Sequence, residues 1–363
     1  MVLYFQQPRK MVNALGQNSG LNKLCTRGNQ IRSNYFSDTF RAELKVGSEF
    51  GTWDIIHISL PFSPLKEREF MVRFGLDKSQ MLQFYKQFGH CIKNDIRMTN
   101  FLSESEVKSV VKYVSYVIEK KEAERGSDIY LITRPMESFT EKMQWNAGDE
   151  SDSYEVITFA ARILQIIKGI NAVSSHFGVL DMDNVFIIEE GEKNLVTLGG
   201  FLYGAQDEGS YIELPAVMPA HTCPSILAGQ APSSGSDIYS ICSLIWTMLD
   251  GNHYTTAPDL SRPPIYAPQN LVPIMEKAMK CHIEGTSENL NTNDIIAELT
   301  RTVRTTIKLM TNGTIQKRSF IIADPTYNIS EAYRLYRKDP VSATQEEERK
   351  AKIMAAKTEF SVL

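Results

Sequence analysis

Hydrophobic residues follow two different patterns along the chain. Over residues 41–145 they occur in short runs rich in β-branched and aromatic residues, separated by polar, Pro- or Gly-containing stretches, and this pattern predicts strands. The predicted strands are 52–60, 70–74, 110–119 and 128–133. Between them, apolar residues over 78–102 recur at steps of three and four, which predicts one amphipathic helix.

Helical spacing dominates from residue 154 onward. The predicted helices are 154–174, 237–249, 271–279 and 295–309. Segment 237–249 is apolar almost all round, which is typical of a helix at the centre of a domain. Asn293 or Asp294 is the predicted N-cap of the last helix, because either side chain can accept a hydrogen bond from the first turn. Strands first and helices afterwards predict an α+β protein, with a small antiparallel β lobe joined at 132–137 to a larger α-helical lobe.

The composition indicates a globular protein with an ample core. The chain has 363 residues, of which 42% are hydrophobic and 23% charged, and its net charge of −4 offers no argument for nucleic-acid binding. No apolar run is long enough to predict a membrane span. The five cysteines are scattered, without a C-x-x-C pair, so we expect neither a disulfide framework nor a zinc site, and a cytoplasmic location.

The two ends of the sequence differ in composition from the middle. Residues 1–37 contain five basic residues and no acidic one, so segment 1–40 is predicted to be a flexible basic arm. A transit peptide has a similar acid-poor composition, and an arm that contacts an acidic partner is a third interpretation. Segment 311–363 is predicted to be an extension with a helix over 343–357, capped by Ser342. That helix is either solvated or a partner-binding element.

The most specific motif is the string S-D-I-Y-S-I-C-S-L-I-W-T-M-L-D-G at 236–251. It resembles the start of the central buried helix in the C-terminal lobe of protein kinases, where an S-D-I-Y-S-L-G string followed by L-x-x-G is usual. The resemblance implies a two-lobed protein kinase-like fold over 41–310, with an N-lobe over 41–134 and a C-lobe over 138–310. In that fold Asp237 is expected to be structural, accepting hydrogen bonds from backbone N–H groups near the catalytic loop.

Phosphoryl transfer by kinases needs a Gly-rich loop over the phosphates, a strand Lys held by a helix Glu, an Asp that orients the acceptor hydroxyl, and Asn and Asp ligands for magnesium. The loop candidate is 46–53, where Gly51 matches the last glycine of the motif but Val46 and Ser48 replace the two earlier ones. Side chains at those positions would crowd the phosphates. The segment is therefore either a β-turn without a ligand or a degenerate nucleotide loop.

The run 70–74 resembles the kinase strand that carries the phosphate-binding Lys, with Arg73 in its place. Arginine keeps the charge but is bulkier and planar, so it is not an equivalent replacement. The expected helix partner is Asp95. Three interpretations are open: Arg73 and Asp95 form a structural ion pair, they contact a nucleotide phosphate, or they are unrelated surface charges.

The catalytic-loop region resembles the kinase pattern at its flanks, with Gly178 before and Asn184 after, but the stretch between them is too short. Asp181 or Asp183 matches the catalytic Asp only if a deletion is assumed. A shortened loop would misplace the carboxylate, and catalysis depends strongly on its position. Asp181 is thus a catalytic candidate, and a turn aspartate is the alternative. Asn184 is expected to face the cleft without completing a metal site.

The kinase D-F-G motif, whose Asp holds magnesium, falls on Gly200-Phe201-Leu202. Gly200 has no side chain, and magnesium is held by oxygen ligands, so the resemblance implies that the main metal ligand is absent. Gly51, Arg73, Asp95 and Asn184 are then the remains of a degenerate nucleotide site. We expect no metal and no cofactor, and ATP with magnesium is disfavoured.

Taken together, the motifs resemble those of a pseudokinase, and the L-G-G-F run at 198–201 with the shortened loop is similar to the Scy-like pseudokinases. The resemblance implies a catalytically inactive scaffold or allosteric signalling partner that binds other proteins. The alternatives are an atypical serine/threonine kinase or other ATP-dependent transferase, and a nucleotide-binding switch without turnover.

Overall fold

The computed structural model describes residues 20–34, 36–121, 126–190, 193–206, 214–215, 217–283, 292–324 and 333–335. Over these residues the chain is an α+β protein. The helices are α1 (Leu21–Leu24), α2 (Pro64–Phe74), α3 (Lys78–Glu104), α4 (Phe139–Lys142), α5 (Ser153–Asn171), α6 (Pro224–Leu227), α7 (Ser234–Leu249), α8 (Val272–Ile283) and α9 (Thr292–Thr311). The strands are β1 (Gln30–Ser33), β2 (Asp38–Val46), β3 (Glu49–Leu60), β4 (Tyr113–Lys121), β5 (Gly126–Thr133), β6 (Glu137–Ser138), β7 (Glu150–Asp152), β8 (Ser175–His176), β9 (Val185–Glu190), β10 (Lys193–Leu198), β11 (Ala205–Gln206), β12 (Val217–Pro219), β13 (Ser319–Ile321) and β14 (Tyr333–Leu335).

The main sheet has five antiparallel strands in the order β1-β2-β3-β5-β4. A two-residue turn, Gly47-Ser48, joins β2 to β3, and Gly47 has a φ of 60°, which a residue with a side chain rarely adopts. The strands predicted at 52–60, 110–119 and 128–133 are confirmed as β3, β4 and β5. The connection from β5 to β6 spans three residues and forms the junction predicted at 132–137.

The strand predicted at 70–74 is wrong, because these residues end helix α2. Pro64 occupies the first turn, where a missing N–H costs nothing, and Gly75 closes the helix in the left-handed conformation. Phe70 and Phe74 lie one turn apart and are both buried. Five residues are too few to separate a buried strand from a buried helix by pattern alone, and these flanking Pro and Gly signals decide the question.

The two faces of the sheet pack against different parts of the chain. On β3, Ile58 and Leu60 contact the helices, whereas Trp53 and Ile55 belong to a second cluster on the opposite face that includes the fully buried Leu21 of α1. The alternation follows from the two-residue period of a strand.

Part of the segment predicted to be a flexible arm belongs to this sheet. Residues 20–34 form α1, a short 3₁₀ turn and β1, and β1 pairs with β2. Their apolar residues are isolated among polar ones, and a single buried Leu21 produces no periodicity that would predict an element. Residues 1–19 lie outside the described residues.

The helices of the second half pack around α7. Every residue of α7 from Gly235 to Leu249 is buried, as its all-round apolar character predicts, and α5, α8 and α9 surround it. The N-caps predicted for the last helix are wrong, because α9 begins at Thr292 and both Asn293 and Asp294 lie within its first turn. The helix predicted at 343–357 and its cap Ser342 fall outside the described residues. Among the helices that the structure describes, none is both long and apolar enough to cross a membrane.

A buried ion pair fastens the sheet to the junction after β5. Asp54 on β3 is fully buried and lies directly opposite Arg41 on β2, whose guanidinium donates to both carboxylate oxygens at 2.7 and 3.0 Å. Asp54 also accepts from the N–H of Met136 at 2.9 Å, and Arg41 donates to the Met136 carbonyl at 3.2 Å. Because a bidentate pair fixes orientation as well as distance, it positions the junction relative to β2 and β3.

Removal of Arg41 is therefore expected to cost more than removal of the pair. Arg41→Ala leaves the buried Asp54 carboxylate uncompensated and should lower the free energy of unfolding by about 3 kcal/mol. The double variant Arg41→Met with Asp54→Leu should lose clearly less, because no buried charge remains. Urea unfolding of the three proteins measures this, and a loss in the double variant as large as the loss in Arg41→Ala would contradict the prediction.

Candidate functional site

A cleft lies between the inner face of the main sheet and the chain segments around residues 181–186 and 199–203. Its empty volume, including the part open to solvent, is about 810 Å³. Ile56 and Ile58 of β3 form part of one wall, and Phe88 and Asp95 reach it from α3. A cleft with a mostly apolar lining and a few convergent polar groups is the usual form of a ligand site.

The loop before residue 181 is held by the central helix. The Asp237 carboxylate at the start of α7 accepts hydrogen bonds from the N–H groups of Phe177 at 3.2 Å and Gly178 at 2.7 Å, and Ser240 accepts from Leu180 N–H at 2.7 Å. This is the backbone role that the sequence assigned to Asp237. Because α7 is entirely buried, the loop and the residues that follow it have a rigid support.

Asp181 caps the short 3₁₀ turn Met182–Asn184. Its carboxylate accepts from the N–H of Asp183 at 3.1 Å, while its own N–H donates to the Asn184 side-chain oxygen at 3.3 Å. The alternative interpretation, a turn aspartate, therefore describes its local geometry. Asp181, Asp183 and Asn184 nevertheless all line the cleft.

Asn184 and Gly200 hold each other in place. The Asn184 side-chain nitrogen donates to the Gly200 carbonyl at 3.4 Å, and the Asn184 carbonyl accepts from Gly199 N–H at 3.0 Å. Gly200 has a φ of 70°, and a Cβ there would lie 2.5 Å from the Asn184 side-chain nitrogen. As long as Asn184 keeps this conformation, a side chain at position 200 would collide with it. The side-chain oxygen and nitrogen of Asn184 both form hydrogen bonds within the protein.

Asp95 is buried in α3 and connects three elements. It accepts hydrogen bonds from the Tyr113 hydroxyl and the Phe201 N–H, both at 2.7 Å, and from Thr99 at 3.4 Å. Burial raises the pKa of Asp95 to about 6, although these hydrogen bonds oppose the shift. The carboxylate thus ties α3 to β4 and to the segment after Gly200.

The other two residues of the predicted nucleotide site lie elsewhere. Arg73 lies on the exposed side of α2, and the hydrogen bonds that the structure describes for Asp95 come from Tyr113, Thr99 and Phe201. The Arg73–Asp95 ion pair is not among them, because 70–74 is helix rather than strand. Gly51 lies within the β2–β3 hairpin near its turn, and the described cleft lining includes neither Gly51 nor Arg73.

Arg32 is the cation that sequence reasoning missed. It lies on β1, with its guanidinium carbon 5.0 Å from the centre of the Phe186 ring, and the charges of Arg32 and Asp183 attract one another. Burial lowers the pKa of Arg32, which nearby carboxylates including Asp183 partly offset. No pattern in the sequence around 30–33 singles it out, since its place depends on β1 joining the sheet.

The carboxylates of the cleft have unusually high pKa values. Burial and the negative charge of Asp183 raise the pKa of Asp181 to about 7, despite hydrogen bonds from the backbone. Part of the Asp183 side chain reaches solvent, yet the surrounding cleft walls still raise its pKa, and Arg32 opposes this shift. Near neutral pH the pair therefore retains part of a proton that isolated aspartates would release. Among the described residues, no group of three or more His, Cys, Asp or Glu side chains is arranged to hold a metal ion.

The raised pKa values predict the pH dependence of stability. The folded state binds more protons than the unfolded state between the ordinary aspartate pKa and about 7, so stability should fall as pH rises through this window. Asp181→Asn should flatten this fall and leave the protein equally or more stable at pH 7.5. Thermal unfolding from pH 5 to 8 measures it, with the exposed Glu104→Gln as the matched control; equal slopes for Asp181→Asn and the original protein would contradict the prediction.

The Asn184–Gly200 contact predicts a position-specific penalty. Gly148 also has a positive φ, 89°, but a Cβ there would have nothing within 4 Å, so Gly148→Ala should cost only backbone strain of about 1 kcal/mol. Gly200→Ala adds the clash with Asn184 and should cost at least about 1 kcal/mol more. Denaturant unfolding compares the two. The difference should shrink when Asn184→Ala is combined with Gly200→Ala, and its persistence would show that the clash is not its source.

No known protein-family model matches the sequence, and no curated protein is significantly similar to it. The chemistry available to the chain must therefore be argued from the cleft itself. Its distinguishing features are two carboxylates on one turn, aromatic walls, and a glycine that contacts the side chain of Asn184; the guanidinium of Arg32 lies over the ring of Phe186, one of the lining residues.

Proposed function

We propose that this chain is a catalytically inactive protein kinase-like protein, a pseudokinase, that acts as a scaffold or allosteric signalling partner. The observation that carries the proposal is the contact between Asn184 and Gly200. Magnesium-dependent phosphoryl transfer needs an Asn and an Asp that both present oxygen atoms to the metal ions. Here the Asn184 amide oxygen accepts from Asp181 N–H, and position 200 has no side chain; a side chain there would collide with Asn184 unless Asn184 moved.

The order of elements supports the kinase-like part of the proposal. A five-stranded antiparallel sheet is interrupted by the long helix α3 between β3 and β4, and it is followed by helices packed around the buried α7. Asp237 of α7 supports the loop at 177–180. In a kinase-like arrangement the strand before the long helix carries the phosphate-binding Lys. That strand is β3 rather than 70–74, and its residues in the cleft lining are Ile56 and Ile58.

The charges of the cleft also oppose a nucleotide triphosphate. Phosphates entering it would approach Asp181 and Asp183, while the described basic residue whose charge acts on Asp183, Arg32, is not part of the described cleft lining. Like charges repel strongly in a partly dehydrated cleft. This is why we rank the inactive protein above an atypical serine/threonine kinase or another ATP-dependent transferase, and above a nucleotide-binding switch.

The partners proposed here are proteins, at a cytoplasmic location. Three large apolar side chains, Leu65 and Val72 on α2 and Leu82 on α3, are each at least 70% exposed. Exposed apolar side chains are available for contact with another protein, and single ones are also common on protein surfaces. They support the scaffold interpretation, and they leave the identity of the partner open.

A thermal-shift experiment tests the proposal. Neither ATP alone nor ATP with magnesium should change the unfolding midpoint, because the described cleft lining contains no lysine and position 200 offers no carboxylate. Incubation with labelled ATP should leave the protein and generic substrates unlabelled. A magnesium-dependent rise in the midpoint, together with label transfer that Asp181→Asn abolishes, would replace the proposal with the transferase alternative. A rise without label transfer would favour the switch.

A further inference from the structure

We propose that the cleft is a binding site for a small organic cation, an amidinium, guanidinium or amine attached to an apolar body. The charged end would lie beside Asp181 and Asp183, and the apolar body would lie against the aromatic wall. This inference goes beyond the proposed function and does not depend on the kinase resemblance, because it uses only the contents of the cleft.

The walls of the cleft fit an apolar body. Phe36 and Phe88 line it, with their ring centres 4.7 Å apart, and Phe186 and Tyr113 line it as well. Ligand sites are typically lined by such aromatic and apolar side chains, with a few polar groups that fix the orientation of the ligand. Aromatic faces attract cations and apolar groups alike, so such a wall accepts the whole of an arylamine or an aryl amidine.

Arg32 provides an internal example of a cation next to a cleft carboxylate and an aromatic ring. The guanidinium of Arg32 lies over the Phe186 ring at 5.0 Å and is attracted by Asp183. Arg32 and Asp183 lie in different elements far apart in the sequence, so their interaction is a tertiary one. A guanidinium on an aromatic face beside a carboxylate is the arrangement that the proposed ligand would reproduce deeper in the cleft.

Asp181 lies in a negatively charged part of the cleft, and its described hydrogen-bond donors are backbone N–H groups rather than basic side chains. It faces Asp183 on the same turn, and Asp95 reaches the cleft from α3, while Glu141 of α4 adds negative potential at Asp183. Arg32 is the positive group that acts on Asp183, and Asp181 accepts hydrogen bonds only from backbone N–H groups in the contacts described. Binding of a cation would convert the neutral Asp181 carboxyl into a carboxylate, and the proton would go to solvent. Ligand binding and proton release are therefore coupled.

Benzamidine and benzamide are matched probes, since they have nearly the same shape and only benzamidine is charged. Benzamidine at millimolar concentration should raise the unfolding midpoint by several degrees, whereas benzamide should have no effect. Calorimetry at pH 7 in two buffers of different ionisation enthalpy should show release of a fraction of a proton on benzamidine binding. Equal effects of the two compounds, or no effect of either, would overturn the proposal.

Substitutions locate the site. Asp181→Asn and Asp183→Asn should each weaken benzamidine binding about tenfold, because each removes a charge-assisted contact, while the exposed Glu104→Gln should leave it unchanged. Arg32→Gln provides a test with both carboxylates intact: it should strengthen binding, since it removes the internal guanidinium that competes for Asp183. Unchanged or weaker binding in Arg32→Gln would contradict the assigned position. ATP binding would disprove the proposed function and leave this result unaffected, so the two failures are distinguishable.

Discussion

The contact between Asn184 and Gly200 determines what the cleft can do. Asn184 lies at the end of a turn capped by Asp181, and its amide connects the backbone of that turn to the backbone at Gly200. The loop before the turn is fixed by Asp237 at the N-terminus of a helix buried on all sides. The turn therefore has little freedom to rearrange around a metal ion. A side chain at position 200 would have to break the contact before it could contribute a ligand.

The same turn places the carboxylates of Asp181 and Asp183 close together, and Arg32 only partly balances their negative charge. Asp181 and Asp183 lie on the same turn, are partly dehydrated and repel one another. Their pKa values are therefore raised, and the positive charge of Arg32 partly offsets this at Asp183. Asp95 is different, because its hydrogen bonds to Tyr113, Thr99 and Phe201 make it a structural group. The cleft thus contains one carboxylate that holds the fold together and two whose charge is incompletely compensated. Folded proteins tolerate such local costs where they serve binding.

Much of the helical part could be predicted from the sequence. Helices α3, α5 and α7 have long, regular apolar patterns, and α3 and α5 begin with the capping boxes of Asp77 and Asp152. The role of Asp237 followed from a motif that specifies a local backbone contact. In each case the signal is contained within one segment, which is why a single sequence was sufficient.

The composition of the cleft could not be predicted in the same way. Residues 70–74 form a short apolar run that fits a strand or a helix, and the wrong choice assigned the cleft cation to Arg73. The cation that acts on Asp183 is instead Arg32. It reaches this position only because β1 pairs with β2, and this pairing depends on tertiary contacts rather than on a local pattern. Gly51 was selected by motif spacing, but it lies near the turn of its hairpin and is not among the described cleft-lining residues.

The location of Arg32 on β1 also connects the cleft to the edge of the main sheet. The β1–β2 pairing is short, and its register shifts between Gln30 and Arg32, so the pairing at this edge of the sheet is irregular. Phe36, which follows β1, packs against Phe88 and lines the same cleft. A cation that displaced Arg32 from Phe186 would remove one of the contacts that hold β1, and a partner that held β1 would keep Arg32 in place. Cleft occupancy and the sheet edge would then bias one another reciprocally, as linkage between two sites requires, without any phosphoryl transfer.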